Sequence, residues 1–307
     1  EDQYTPKKIM DDVIAVSVEF YNSAAIKSDG SLWTWGANYN WQLGDGIVAD
    51  HRYMPEKIMD DVVAVSVGSS HSAAIKSDGS LWTWGDNYDG QLGDGTTEDQ
   101  YTPKKIMDDV IAVSVGSDYS AAMKSDGSLW MWGDNYHGQL GDGTTESRYT
   151  PEKIMDNVIA VSAGSCYTAA IKSDGSLWTW GLNRCGQLGD GTRENRYVPE
   201  KIMDGVTAVS ACFGHTAAIK SDGSLWTWGS NDYGNSTYGQ LGDGTTEDRY
   251  TPEKIMDDVI AISGGTAAIK SDGSLWVWGS NTYGQLGDGI MEYSCVPIKI
   301  MDNVKLT

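Results

Sequence analysis

The chain has 307 residues with a formal net charge of −21, and its aromatic side chains are 13 Trp, 16 Tyr and only 2 Phe. A surface this acidic would repel the phosphates of nucleic acids and of anionic membranes, so the composition argues against both as partners. No apolar run reaches the ~20 residues that a membrane-spanning helix needs.

Four short strands are predicted first, followed by a turn that leads into the same pattern again. They are strand A at Val13–Val18, strand B at Ser23–Lys27, strand C at Ser31–Gly36 and strand D at Glu56–Met59. An Asp-Gly pair between strands B and C is typical of a tight hairpin. The loop between strands C and D is long and contains Gln-Leu-Gly-Asp-Gly. No segment has a sustained 3.6-residue apolar period, so no helix is expected.

This unit recurs along the whole chain, which we interpret as a single domain over residues 1–307. The repeats run approximately over 6–54, 55–102, 103–150, 151–198, 199–251 and 252–296, with a partial repeat at 297–307. The opening Glu1–Met10 is identical to Glu98–Met107. The chain therefore starts within a repeat, and we expect that sequence precedes residue 1 and that a targeting signal could lie there.

Four-stranded units of this length are the signature of an all-β fold, the β-propeller. Strands A and B carry small residues and strand C carries two tryptophans, so each blade is expected to press its tryptophans onto its neighbour and to be buried on both faces. The segment AAIKSDGSLWTWGDNYDGQLGDGT at Ala73–Thr96 resembles the repeat of the regulator of chromosome condensation (RCC1) family. The resemblance implies a propeller that usually has seven blades. Six Trp-bearing units favour six blades closed by the terminal strands, with seven as the alternative.

Variation between the repeats is concentrated at one end of the predicted blades. Antiparallel order puts the A–B and C–D loops, here called the upper loops, at the same end, and the constant Lys-Ser-Asp-Gly-Ser turn at the other. All His, Cys, Arg, Phe and Tyr residues, and Trp41, fall in the upper loops under this assignment. Tyr, Trp and Arg are typical anchors of recognition surfaces, whereas Gln-Leu-Gly-Asp-Gly is interpreted as a structural loop brace. The predicted partner-binding residues are Phe20, Tyr21, Tyr39, Trp41, His71, Tyr88, Tyr119, Tyr136, His137, Tyr167, Arg184, Cys185, Phe213, His215 and Tyr233.

The cysteines allow three interpretations: a metal site, a disulfide or free thiols. Cys166, Cys185, Cys212 and His215 have ligand chemistry suited to zinc, but their spacing matches no known zinc motif, so no metal site is predicted. A Cys166–Cys185 disulfide is a stronger alternative, and free thiols are favoured over both. No catalytic constellation stands out, so no enzyme activity and no cofactor are expected.

The favoured function is recognition of a protein partner through the upper loops. Within its family the chain is similar to secreted β-lactamase-inhibitor propellers, which implies an extracellular or cell-surface location in a bacterium. The partner's interface is expected to be basic or neutral, to complement the acidic chain. The alternatives are a glycan-binding propeller and, less favoured, a GTPase exchange or regulatory protein of the RCC1 type.

Overall fold

The structure is a computed structural model that describes residues 8–19, 21–47, 50–233 and 236–304. These residues form six four-stranded antiparallel sheets, each a blade in which consecutive strands are neighbours. Blades 1 to 3 contain β1 (Val13–Glu19), β2 (Asn22–Lys27), β3 (Leu32–Ala37), β4 (His51–Met59), β5 (Val62–Val67), β6 (His71–Lys76), β7 (Leu81–Gly85), β8 (Gln100–Met107), β9 (Val110–Val115), β10 (Tyr119–Lys124), β11 (Leu129–Gly133) and β12 (Arg148–Met155).

Blades 4 to 6 repeat the pattern, and blade 5 carries an extra two-stranded hairpin in its C–D loop. Their strands are β13 (Val158–Ala163), β14 (Tyr167–Lys172), β15 (Leu177–Gly181), β16 (Arg196–Met203), β17 (Val206–Ala211), β18 (His215–Lys220), β19 (Leu225–Gly229), β20 (Asp232–Tyr233), β21 (Ser236–Thr237), β22 (Arg249–Met256), β23 (Val259–Ser263), β24 (Ala267–Lys270), β25 (Leu275–Gly279) and β26 (Ser294–Met301). The predicted all-β, six-bladed propeller class is confirmed.

The constant turn between strands B and C is stabilised by side-chain hydrogen bonds. Asp29 Oδ1 accepts hydrogen bonds from the Ser31 amide at 3.0 Å and from the Ser31 hydroxyl at 2.6 Å. That hydroxyl in turn accepts from Trp33 Nε1 at 2.9 Å, and Gly30 supplies the positive φ of 81° that the turn needs. Sequence identity at this turn therefore reflects a shared local geometry.

In blades 2 to 6, the second tryptophan of each pair is buried in the core between neighbouring blades, as expected, whereas Trp35 of blade 1 is partly exposed. Trp84 of blade 2 is fully buried against Ala24, Ile26 and Leu32 of blade 1. The alanines leave the shallow surface that the indole fills. Replacing a buried tryptophan of this kind by alanine lowers the free energy of unfolding by about 3–5 kcal/mol.

Two expectations about the strands were wrong. Strand D of blade 1 begins at His51 rather than Glu56, so residues assigned to a loop lie in a paired strand. Blade 1 is also not buried on both faces, since Val16 and Val18 are each 67% exposed, whereas the equivalent Val67 of blade 2 is 6% exposed. Val67 packs against blade 1, and no described residue covers Val18 in the same way.

The chain divides into two compact units. The first unit consists of Pro6–Tyr136 and Asp142–Cys166, and the second is built mainly from His137–Gly141 and Tyr167–Thr307. Among the described residues, no helix has the length and apolar character needed to cross a membrane.

Candidate functional site: the upper loops

A buried asparagine organises each C–D loop, and the sequence interpretation missed it. Asn87 is fully buried; its side-chain oxygen accepts from the Leu92 amide at 3.0 Å. Its amide group donates to Asp94 Oδ1 and to the carbonyls of Thr96 and Glu98, each at 3.1 Å. The signal was present, because every repeat has Asn at this place: Asn38, Asn87, Asn135, Asn183, Asn231 and Asn281.

Four of the six arginines pair with the aspartate of the Gln-Leu-Gly-Asp-Gly loop brace and do not form part of an exposed recognition surface. Arg196 Nε lies 2.7 Å from Asp190 Oδ2, and the loop aspartates of blades 1, 3 and 5 are paired in the same way. In blade 2, Lys104 Nζ takes this place at 2.6 Å from Asp94. Burial opposes ionisation of Asp94, but hydrogen bonds from Lys104, Thr96 and Asn87 hold its pKa below the usual range.

Four predicted anchors are buried at the start of strand B, where a partner does not reach them. His71, Tyr119 and Tyr167 are 0% exposed and His215 is 5% exposed, so their assignment to exposed loops was wrong. Tyr167 Oη donates to the His215 carbonyl at 2.5 Å, and His71 Nε2 lies 2.8 Å from Ser120 Oγ. These side chains pack neighbouring blades together, and their variety reflects local packing.

Three exposed tyrosines of the first unit lie at one repeated loop position. Tyr39, Tyr88 and Tyr136 follow the organising asparagine in blades 1, 2 and 3, and all three are exposed, Tyr88 to 79%. Tyr21, in the A–B loop of blade 1, is equally exposed. These four predicted anchors are therefore exposed at the surface.

Trp41 is partly buried and has an unusual backbone conformation. Its φ is +55°, in the left-handed region, and its ring meets Tyr101 edge-on with centroids 4.7 Å apart. Every other repeat has glycine at this place. A side chain there is tolerated in blade 1, whereas a Cβ at Gly90 would lie 2.2 Å from the Tyr149 ring.

An aspartate lies next to each exposed tyrosine of blades 2 and 3, since Asp86 accepts a hydrogen bond from the Tyr88 amide and Asp134 from the Tyr136 amide. Burial, reinforced by repulsion from Asp99 and Asp118, raises the pKa of Asp86. Burial and the charge of Asp134 likewise raise the pKa of Asp89 and of Asp118. Carboxylates that repel one another in this way are stabilised by an incoming cation.

A shallow aromatic cavity of ≈ 390 Å³ lies on blade 1, within the first unit. Tyr21, Tyr39, His51 and Tyr53 line it; Tyr39 Oη is 2.9 Å from His51 Nε2, and the rings of His51 and Tyr53 stack at 5.9 Å. His51 and Tyr53 were not among the predicted anchors, although the sequence assignment also placed them in the upper loops.

The remaining predicted residues are dispersed. In the second unit, Arg184 and Phe213 are exposed, His137 and Cys185 are partly buried, and the backbone of Tyr233 lies in β20. Arg193 Nε donates to the Arg184 carbonyl at 2.7 Å, and its guanidinium lies 5.5 Å from the ring centre of Tyr250. Phe20 lies outside the described residues.

The four cysteines are free thiols in the structure, so the alternative Cys166–Cys185 disulfide is absent. Burial, with repulsion from Asp134 and Asp118, raises the pKa of Cys166 to about 11. Within the described ranges, no group of three or more His, Cys, Asp or Glu side chains is arranged to hold a metal ion.

Comparison with known families decides the relationship, because the model of the RCC1-like domain matches residues 1–302. The chain belongs to this family. Human WBSCR16 is a similar solved structure, with a TM-score of 0.84 and 24% identity over 95% of this chain and 82% of that chain. No curated protein matches the sequence.

Yeast RCC1 (Prp20), solved bound to Kap60, is also similar, with a TM-score of 0.81 and 20% identity over 94% of this chain and 75% of that chain. A second structure of Prp20p, from Saccharomyces cerevisiae, was described with its binding to Gsp1p and histones. It has a TM-score of 0.79 and 21% identity over 94% of this chain and 77% of that chain. At these identities the likeness shows the RCC1-like fold, and the fold supports a protein-interaction or regulatory module.

Proposed function

We propose that this RCC1-like protein is a non-catalytic recognition module whose first unit binds a basic protein segment through its upper loops. The supporting observation is the row of exposed tyrosines, Tyr39, Tyr88 and Tyr136, at the same loop position in three successive blades. Tyrosine supplies a large contact area at a low cost in conformational entropy.

The charges next to these tyrosines favour lysine or arginine in the partner. A nearby cation offsets the free-energy cost of burying the ionised carboxylates of Asp86, Asp89 and Asp118. Their raised pKa values therefore favour a basic ligand. A cation over an exposed tyrosine ring adds about 0.5–1 kcal/mol. The net charge of −21 also attracts a cationic segment from a distance.

Selection from a random displayed-peptide library tests this function and does not require the partner to be identified first. Wild type should enrich peptides rich in Lys and Arg, and their retention should weaken as salt rises. The variant Y39S/Y88S/Y136S should lose this enrichment. The matched control is V63S/I111S/I159S, which changes three exposed residues at the opposite ends of blades 2 to 4 and should select like wild type. Enrichment of acidic or neutral peptides, or equal selection by all three proteins, would reject the proposal.

An extracellular or surface location in a bacterium is part of the same proposal, supported by the resemblance to secreted propellers. The source cells should release the protein to the medium or expose it to added protease. Recovery only from the protease-protected cell interior would reject the location while leaving the binding proposal intact.

A further inference from the structure

The A–B loop of blade 6 is shorter than the loop at the same place in the other blades. In blade 6, residues 264–266 separate the serine of strand A from the alanine pair of strand B. The same interval in blade 2 contains six residues, 67–72. This loop matters to blade 5, because the first residue of strand B packs against the A–B loop of the next blade. Tyr167 of blade 4, for example, accepts from the Cys212 amide of blade 5 at 2.9 Å.

His215, the first residue of strand B in blade 5, meets this shortened loop with both ring nitrogens unpaired. Among the described residues, five buried polar side-chain atoms lack a hydrogen-bond partner, and two of them are Nδ1 and Nε2 of His215. The side chain is 5% exposed. At the same position in blade 2, His71 Nε2 lies 2.8 Å from the Ser120 hydroxyl of blade 3. Buried polar atoms without a partner are rare, and they indicate a ligand, an ion or water.

The thiol of Cys212 faces the same point as the His215 ring. A Cβ added at Gly265 would lie 2.4 Å from His215 Nε2 and 2.9 Å from Cys212 Sγ. Because residue 265 is glycine, no side chain stands at that point. The A–B loop of blade 5 holds the two residues together, since the Cys212 amide donates to the His215 carbonyl at 3.0 Å. All three residues belong to the second unit, and Cys212 is in no disulfide.

We propose that Cys212 Sγ and His215 Nε2 bind a Cu(I) ion. Thiolate sulfur and imidazole nitrogen are ligands that copper prefers, and Cu(I) is stable with two of them, whereas structural zinc takes four. Within the described part of the chain, no third His, Cys, Asp or Glu joins them in a metal-binding group. As the Cu–S bond forms, the thiol proton passes to solvent.

The state of the imidazole suits this role. Burial lowers the pKa of His215 to about 4, although the backbone of Gly264 and Gly265 opposes the shift. The ring is therefore neutral near pH 7, and a neutral ring has the nitrogen lone pair that a metal needs.

Competition with the Cu(I) chelator bicinchoninate, without oxygen, tests the site in a protein with a single thiol. The variant C166S/C185S/C295S keeps only Cys212 and should take one Cu(I) per chain from the chelator. Its matched control, C166S/C212S/C295S, keeps only Cys185 and should bind Cu(I) about 100-fold more weakly or worse. Adding H215N to the first variant should cost as much, because changing a group that merely orients a metal ligand already costs about 10–100-fold.

X-ray absorption of the copper-loaded wild type gives a readout that depends on no substitution. The copper should have one sulfur and one nitrogen neighbour. Equal Cu(I) affinity with Cys212 or Cys185 as the single thiol, unchanged affinity after H215N, or coordination by sulfur alone would each overturn the proposal. Y39S/Y88S/Y136S should bind copper like wild type, because these tyrosines lie in the first unit. The copper site and the recognition surface can therefore fail independently.

Discussion

Trp41 shows at the scale of one residue how a loop can accommodate strain. A non-glycine residue in the left-handed region costs about 1–2 kcal/mol. Trp41→Gly relieves that cost while losing the ring contact with Tyr101. The two effects offset each other, so we expect the free energy of unfolding to change by no more than about 1 kcal/mol in denaturant titrations.

The matched change in blade 2 should behave differently. Gly90→Trp puts a side chain where the Tyr149 ring already lies, and it should destabilise the protein by about 2 kcal/mol or more. Equal effects of the two substitutions would show that the loops of blades 1 and 2 do not differ in the way the structure indicates.

His71 is expected to make the fold sensitive to acid. Burial lowers its pKa from 6.5 to about 3, so it stays neutral in the folded protein while the unfolded chain takes up a proton below pH 6.5. Stability is therefore lost as pH falls, by about 3 kcal/mol at about pH 4.5. His71→Asn, which places there the residue found at the equivalent Asn22, should reduce the loss of unfolding free energy between about pH 7 and about pH 4.5 by this amount.

The carboxylates shared by both proteins cancel in that comparison. Asp86, Asp89 and Asp118 act in the opposite direction, because their raised pKa values make protonation stabilising. Identical acid sensitivity of wild type and His71→Asn, measured by denaturant titration, would contradict the assignment of the acid loss to His71.

The variation of residue type between repeats did not by itself distinguish recognition residues from residues that pack neighbouring blades together. His71, Tyr119 and Tyr167 differ between repeats as much as the exposed tyrosines do, yet they are buried between blades. Two neighbouring blades can vary together at such a contact, and one sequence does not reveal which variable positions face solvent. Tyr39, Tyr88 and Tyr136 are exposed, and each follows the buried asparagine of its loop.

At the scale of an element, each C–D loop depends on its buried asparagine. Asn87→Ala would leave the Leu92 amide and two carbonyls without their partner, at a cost of about 2–3 kcal/mol. Hydrogen exchange should accelerate over residues 86–99 before the rest of blade 2. The adjacent Tyr88→Ala is the control and should change stability by less than about 0.5 kcal/mol, because its side chain is exposed. Similar exchange in both variants would mean that the loop holds its shape without Asn87.

The strands and turns were predictable because their signals are local. The Asp-Gly turn and the alternation in Leu-Trp-x-Trp-Gly depend on neighbours within a few residues. The length of strand D was not predictable from local signals, because its first residues pair with Gly36 and Ala37 across a long loop. The pairing of Arg196 with Asp190 was also missed, because an arginine in a variable segment has the composition of a recognition residue.

At the scale of the whole molecule, the burial of equivalent residues differs between blades, and the net charge acts on all blades together. Six nearly identical units predict the same burial in every blade, but Val18 of blade 1 is 67% exposed whereas Val67 and Val115 of blades 2 and 3 are buried. The sequence of one repeat does not reveal this difference, because burial depends on what each blade packs against.

The excess of acidic residues should make stability rise with salt. With 43 Asp and Glu against 22 Lys and Arg, the folded chain repels itself. Raising NaCl from about 10 mM to about 150 mM shortens the screening length from about 30 Å to about 8 Å, which weakens this repulsion. The ion pairs of the C–D loops, such as Arg196 with Asp190, are in direct contact and partly buried. Salt therefore screens these ion pairs less than it screens the long-range repulsion. We therefore expect the thermal midpoint to increase across this range, with choline chloride giving the same increase as NaCl and sucrose of equal osmolality giving a smaller one. A midpoint that falls with salt would mean that the ion pairs, rather than the net charge, dominate the electrostatic contribution to stability.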